Sequence, residues 1–130
     1  MTNAANLAAV ASTTYGYANA TKLQSGGVTT NALAWVNFNG VTTTSIRSSY
    51  NISSITRNGS GDYSINFTTA TTDANYAMVG TCQANLSPTA NGWQTVYTLA
   101  APTTSVCRIG TGSSASGTDC AWINVAIFGN

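Results

Sequence analysis

Residues 54–67, SITRNGSGDYSINF, constrain the fold more than any other stretch of the chain. Tyr63, Ile65 and Phe67 alternate with polar residues, which is the period of a strand with one buried face, and residues 55–57 read as a partner strand. Between the two, Asn58, Gly59 and Gly61 are residues that tolerate the positive φ of a tight turn. The segment is therefore a hairpin, and the turn sets the register of its strands.

Similar runs follow one another along the chain. Residues 33–38, LAWVNF, are apolar on both faces, as a core strand is, and Asn39-Gly40 ends them with a turn dipeptide. Residues 50–57 carry Tyr50, Ile52 and Ile55, a spacing that slips by one residue and predicts a bulge. Further strands are expected at 75–82, at 92–100 with Trp93, Tyr97 and Leu99 in phase, at 105–110 and at 120–128. About seven short strands with turn residues between them predict an all-β fold, an antiparallel sandwich or barrel-like knob. Its expected core is Trp35, Phe38, Tyr63, Ile65, Phe67, Ile123, Val125 and Ile127. Residues 1–32 differ: they are rich in small residues and lack a period of two, Leu7 and Val10 allow a short helix, and Gly26-Gly27 reads as a linker. The expected organisation is an extended N-terminal arm, 1–32, and a β-knob, 33–130.

A surface has to be found for this core, and charge does not supply it. Charged residues make up 5% of the chain, against about a quarter in an ordinary globular protein. Thr, Ser and Asn replace them, at 22, 14 and 14 of the 130 residues, a bias that suits pleated strands and turns. The apolar fraction of 43% argues against disorder. The four cations, Lys22, Arg47, Arg57 and Arg108, are scattered, so the footprint of a nucleic-acid binder is missing. An apolar run of about 18 residues is missing too, and the N-terminus lacks the basic start of a secretory signal, so no membrane partner is expected.

The chemistry of catalysis is poorly provided for. The chain has no His and no Glu, and Asp62, Asp73 and Asp119 read as turn residues, so no catalytic residue is assigned and no enzyme is expected. Without His or C-x-x-C pairs no metal or other cofactor is expected either. Cys82, Cys107 and Cys120 read as small buried hydrophobes. A sharper alternative is a Cys107–Cys120 bridge across neighbouring strands, formed after release into an oxidising medium. Tyr15, Tyr17, Trp93 and Tyr97 are candidates for stacking on sugars, although aromatics in alternating strands more often serve a core or a subunit contact.

The segments AWVNFNG, IRSSYNISSITRNGSGDYSINFTTA and DANYAMVG, with the terminal run Val125–Phe128, are similar to a small domain that recurs in tailed-bacteriophage virion proteins, commonly fibre-like ones. The resemblance covers residues 34–80 and loosely the last strand, and NGSGDYSINF is its most specific part. It implies a homotrimeric knob on the outer surface of a phage particle and brings no catalytic residue with it. With about 32 residues before the first core strand, no room is expected for a fibre shaft. The expectation is a capsid-decorating or cement protein whose arm contacts the major capsid protein or another virion protein. The alternative is a short tail-fibre or receptor-binding knob, whose loops at 83–92 or 110–119 touch a host surface glycan or protein.

Overall fold

The computed structural model describes residues 24–25, 28–29, 31–84, 94–113 and 116–129. All regular structure among them is β. The strands are β1 (Gln24–Ser25), β2 (Val28–Thr29), β3 (Ala34–Asn39), β4 (Ser45–Tyr50), β5 (Ile52–Gly59), β6 (Asp62–Phe67), β7 (Ala77–Gln83), β8 (Thr95–Thr98), β9 (Val106–Ser113), β10 (Ser116–Gly117) and β11 (Trp122–Phe128). Apart from the small β1–β2 pair, they form two antiparallel sheets. The first has the order β4-β3-β11-β7; in the second, β5, β6 and β9 run side by side, with β8 on the far side of β9 and two-residue β10 at its end.

Alternation decides which residues meet between the sheets. Ala34, Val36 and Phe38 of β3 and Ile123, Val125 and Ile127 of β11 point inward from the first sheet. Tyr63, Ile65 and Phe67 of β6 and Cys107 and Ile109 of β9 meet them from the second, and all belong to one buried cluster. Burying one such Ile or Phe side chain contributes about 1.5–3 kcal/mol, so this layer drives folding. Phe38 and Tyr63 cross the layer edge to face, with centroids 5.3 Å apart.

Trp35 is not in this core, contrary to the expectation from sequence. It is 39% exposed on the outer face of β3. Successive strand residues alternate faces, so Trp35 and Phe38, three apart, take opposite sides, and burying Phe38 sends Trp35 out. The strand at 95–98 is likewise phased on Val96, which packs on the core and over Gly80, while Leu99 is exposed. Trp93 lies outside the described residues.

The two sheets are joined at a corner that sequence periodicity conceals. The expected strand at 50–57 is interrupted at Asn51, whose φ of 57° turns the chain from β4 of one sheet into β5 of the other. Asn accepts this left-handed conformation because its short polar side chain bonds locally. Asn51 Nδ2 donates to Leu33 O (3.1 Å) and Thr69 O (3.0 Å), while its Oδ1 accepts Thr69 N–H (2.8 Å). The slip in apolar spacing after it is a register shift between Ile52 and Ser54.

The hairpin of 54–67 turns later than its Asn-Gly dipeptide suggests. Gly59 pairs with Asp62, leaving Ser60-Gly61 as the two-residue turn, and a register shift lies between Arg57 and Gly59. Of the three turn candidates, Gly61 takes a positive φ, 63°, whereas Asn58 and Gly59 lie within β5. Nor does the turn project freely. Gly61 O accepts Thr111 N–H (2.8 Å), Ser60 Oγ donates to Gly117 O (3.2 Å), and a Cβ on Gly61 would strike Thr111 O and Thr118 N. Much of the expected loop at 110–119 is thus strand, locked against the hairpin.

The Cys107–Cys120 bridge is also corrected: all three thiols are free. Cys107 lies beside the Tyr76 side chain, whereas Cys120 Sγ donates to Thr118 O at 3.6 Å. Thr111, whose hydroxyl reaches Thr118 O, stands four residues from Cys107 along β9, about 13 Å away. The two cysteines therefore serve different ends of the core.

The corner predicts a specific ranking. Asn51→Ala should cost about 3 kcal/mol, losing three hydrogen bonds and straining the backbone, while Asn51→Gly relieves the strain and should cost about half as much. Urea unfolding checks this, and equal costs would mean that the conformation at residue 51 carries no penalty.

Candidate functional site

The outer face of the first sheet carries the most unusual surface among the described residues. Because β4, β3, β11 and β7 are in register, outward side chains line up in rows across all four strands. One row is Tyr50, Trp35, Ala126 and Val79. Tyr50 is 46% exposed and Val79 54%, and no described element covers either. The next row is Ser48, Asn37, Asn124 and Thr81. Asn37 Nδ2 donates to Asn124 Oδ1 (2.5 Å), and Asn124 Nδ2 donates to Thr81 Oγ1 (3.3 Å). Trp35, Val79 and this amide row line a shallow, mainly apolar groove of about 470 Å³.

Beyond the amides the face ends in a cationic corner. Arg47 sits at the bulge where the β3–β4 register shifts, and its guanidinium carbon lies 3.9 Å from the centre of the Trp122 ring. Its Nη2 donates to Ala121 O at 2.8 Å. Phe128, half-exposed, closes the opposite end beside Ala77. An aromatic, amide-rich and nearly uncharged face of this kind can bury itself against protein, or stack and hydrogen-bond a neutral ligand.

The carboxylates lie elsewhere, and arginines neutralise two of the three. Asp62 accepts Arg108 Nε (2.9 Å) and Nη2 (2.5 Å), with Asn58 Nδ2 at 3.1 Å. Asp119 is a hub: Oδ1 accepts Arg57 Nε (3.2 Å), Gly61 N–H (2.8 Å) and the Tyr63 hydroxyl (2.6 Å), and Oδ2 accepts Arg57 Nη2 (2.6 Å). The Arg108 bonds hold the Asp62 carboxyl below its ordinary range. Burial pushes the Asp119 carboxyl up, but the bonds from Arg57, Tyr63 and Gly61 outweigh it, and that group is lowered too. Burial, and then the Asp119 bond, raise the Tyr63 phenol. A general acid needs its carboxyl raised, so both shifts run against acid catalysis. Asp73 accepts Asn75 N–H (2.7 Å), a local turn bond.

Of the residues considered from sequence, Asn58 and Gly61 contribute to the Asp62 and Asp119 clusters, whereas Gly59 has open space around it. Phe38, Tyr63, Ile65, Phe67, Ile123, Val125 and Ile127 all serve the core. Tyr97 is half-buried over Gly110; Tyr15, Tyr17 and residues 85–93 lie outside the described residues. Sequence reasoning missed the Arg47–Trp122 pair, the amide row and the pairing of Asp119 with Arg57, 62 positions away. The available signal was that β3 and β11 were apolar on both faces, although one sheet covers only one of them.

Compared with protein-family models, with curated proteins and with solved structures, the chain shows no match.

The depressed carboxyls set a pH dependence. A group whose folded pKa is lowered stabilises the fold above its unfolded value, near 3.8 here, and that stability is lost as pH falls through the folded pKa. Asp119→Asn should cost about 2 kcal/mol at pH near 7 and less at pH near 2, because falling pH protonates the parent carboxylate as well. Urea titrations at the two pH values measure this, and a constant difference would show that the carboxylate charge is irrelevant.

Proposed function

We propose that this chain is a non-enzymatic structural module of a tailed-bacteriophage virion, assembled as a homotrimer and displayed on the capsid as a decorating knob. The observation that carries the assembly is the outward row of Tyr50, Trp35 and Val79, three large apolar side chains that no described element covers. Packing such faces around an axis buries aromatic surface with little charge to desolvate. The locked, charge-neutralised Asp62 and Asp119 support a structural role over a catalytic one. The virion assignment is supported by the resemblance of residues 34–80 to the phage knob domain. In this reading residues 1–32 attach the knob to the major capsid protein or another virion protein.

A second reading, a short tail-fibre or receptor-binding knob, is favoured by the amide row beside Trp35. Aromatic rings next to Asn and Thr side chains suit a neutral surface glycan. Copy number separates the two readings: hundreds per particle fit decoration, and a few tens or fewer fit a tail position.

The face itself is tested by light scattering on the purified protein. The parent chain should run at three times its 13.3 kDa mass, and a Trp35→Ser, Tyr50→Ser double variant should fall to one protomer while retaining its β circular dichroism. A monomeric parent at tens of micromolar would end the trimer. A trimeric double variant would move the contact to another surface. Deleting residues 1–30 should leave the trimer intact and abolish capsid binding.

A further inference from the structure

Two Asn-Gly dipeptides among the described residues sit in opposite surroundings. Asn39-Gly40 ends β3, where Gly40 is buried and its N–H donates to Cys120 O at 2.9 Å. A Cβ on Gly40 would strike Tyr63 and Ile123, so the backbone there is packed against the core. Asn39 is held as well, since its Oδ1 accepts Val41 N–H at 3.2 Å. Asn58-Gly59 lies at the register shift of the hairpin. Arg57 pairs with Tyr63 and Gly59 with Asp62, so no residue of β6 stands opposite Asn58, which is the extra residue of a bulge. Asn58 is exposed, and a Cβ on Gly59 would meet nothing within 4 Å. The contacts of Asn58 are through its amide nitrogen, which donates to Asp62 Oδ1 at 3.1 Å and to Ser64 Oγ at 2.9 Å. A third dipeptide, Asn91-Gly92, lies outside the described residues.

We propose that Asn58 is a site of spontaneous modification, converting through a cyclic imide to aspartate and isoaspartate in the folded protein, whereas Asn39 is protected. The inference is independent of the virion reading. Hydroxide removes the proton of the Gly59 backbone nitrogen, which attacks the Asn58 side-chain carbonyl carbon. A C–N bond forms, the bond from that carbon to Nδ2 breaks, and the departing nitrogen takes a proton from water and leaves as ammonia. Water then opens the ring. Addition at the side-chain carbonyl gives aspartate, and addition at the main-chain carbonyl gives isoaspartate, with Gly59 left on the side-chain carbon. One water is consumed, one ammonia is released, and no electrons are exchanged. Glycine favours the first step because no side chain crowds the attacking nitrogen. The backbone rotation it requires falls on the bulged residue, which has no ladder partner to lose. At Gly40 the same nitrogen is bonded to Cys120 O and backed by the core. The product takes the net charge from +1 to zero. Its carboxylate replaces an amide that donates to Asp62, so two like charges compete for Arg108.

The test incubates the full, folded chain in mildly alkaline buffer made with heavy-oxygen water and follows each site by peptide mapping and mass spectrometry. The Asn58 peptide should take up one heavy oxygen and yield both aspartate and isoaspartate, while the Asn39 peptide stays unchanged. In urea the two sites should convert at similar rates, so folding slows Asn39 by about tenfold or more and Asn58 by much less. Gly59→Ala, which the open space accepts, should keep the circular dichroism of the parent and leave Asn58 intact. Protection of Asn58 by folding as strong as that of Asn39, conversion of Asn39 ahead of Asn58 in the folded chain, or an unchanged rate in Gly59→Ala would each overturn the proposal.

Discussion

Tyr63 is the residue on which the two sheets depend. Its ring meets Phe38 of the opposite sheet edge to face and lies where a side chain on Gly40 would stand. Its hydroxyl reaches both Asp119 Oδ1 (2.6 Å) and Gly40 O (3.0 Å). A single side chain therefore bridges the sheets through apolar contact and ties the end of the core to the hairpin turn through a polar one. A buried phenol without those acceptors would be destabilising, so the position of Asp119 is a condition for placing an aromatic there.

The Asp119 hub also explains how so sparsely charged a chain uses its charges. Arg57 and Arg108 form bidentate pairs with Asp119 and Asp62 around the hairpin. Exposed pairs of this kind contribute little as isolated bonds. Here they also orient the turn, because Asp119 takes the Gly61 N–H and Asp62 takes Asn58. Elsewhere, short hydroxyl and amide side chains solvate the surface and bond one another across strands, as in the Asn37–Asn124–Thr81 row. Such bonds are neutral and less sensitive to salt than ion pairs.

These features are the ground for the proposed assembly role. At the hairpin end of the sandwich, the ion pairs hold the Asp62 and Asp119 carboxyls below their ordinary range. The aromatic row lies on the outer sheet face, where Trp35 and Tyr50 can be buried by another surface without disturbing the core behind them. The same separation lets the face vary in sequence while the fold persists, because outward and inward residues of β3 and β11 alternate and are chosen independently.

How much of this was legible in the sequence depends on range. Strict alternation at Tyr63, Ile65 and Phe67, and at Ile123, Val125 and Ile127, is a local property, and it determined the all-β class and most of the core. The same locality misplaced Trp35, since a strand apolar on both faces does not say which face will be covered. The polar edge strand β4 left no hydrophobic period to read, and Asn51 passed as a strand residue because its φ is imposed by contacts with Leu33 and Thr69. By itself, then, the sequence determined the strands, the turn-rich connections and the neutral surface, through pattern and residue chemistry over a few positions. The corner at Asn51, the Asp119 hub and the outward aromatic row were decided by tertiary structure, because each joins residues that come together only when the strands pair and the two sheets pack.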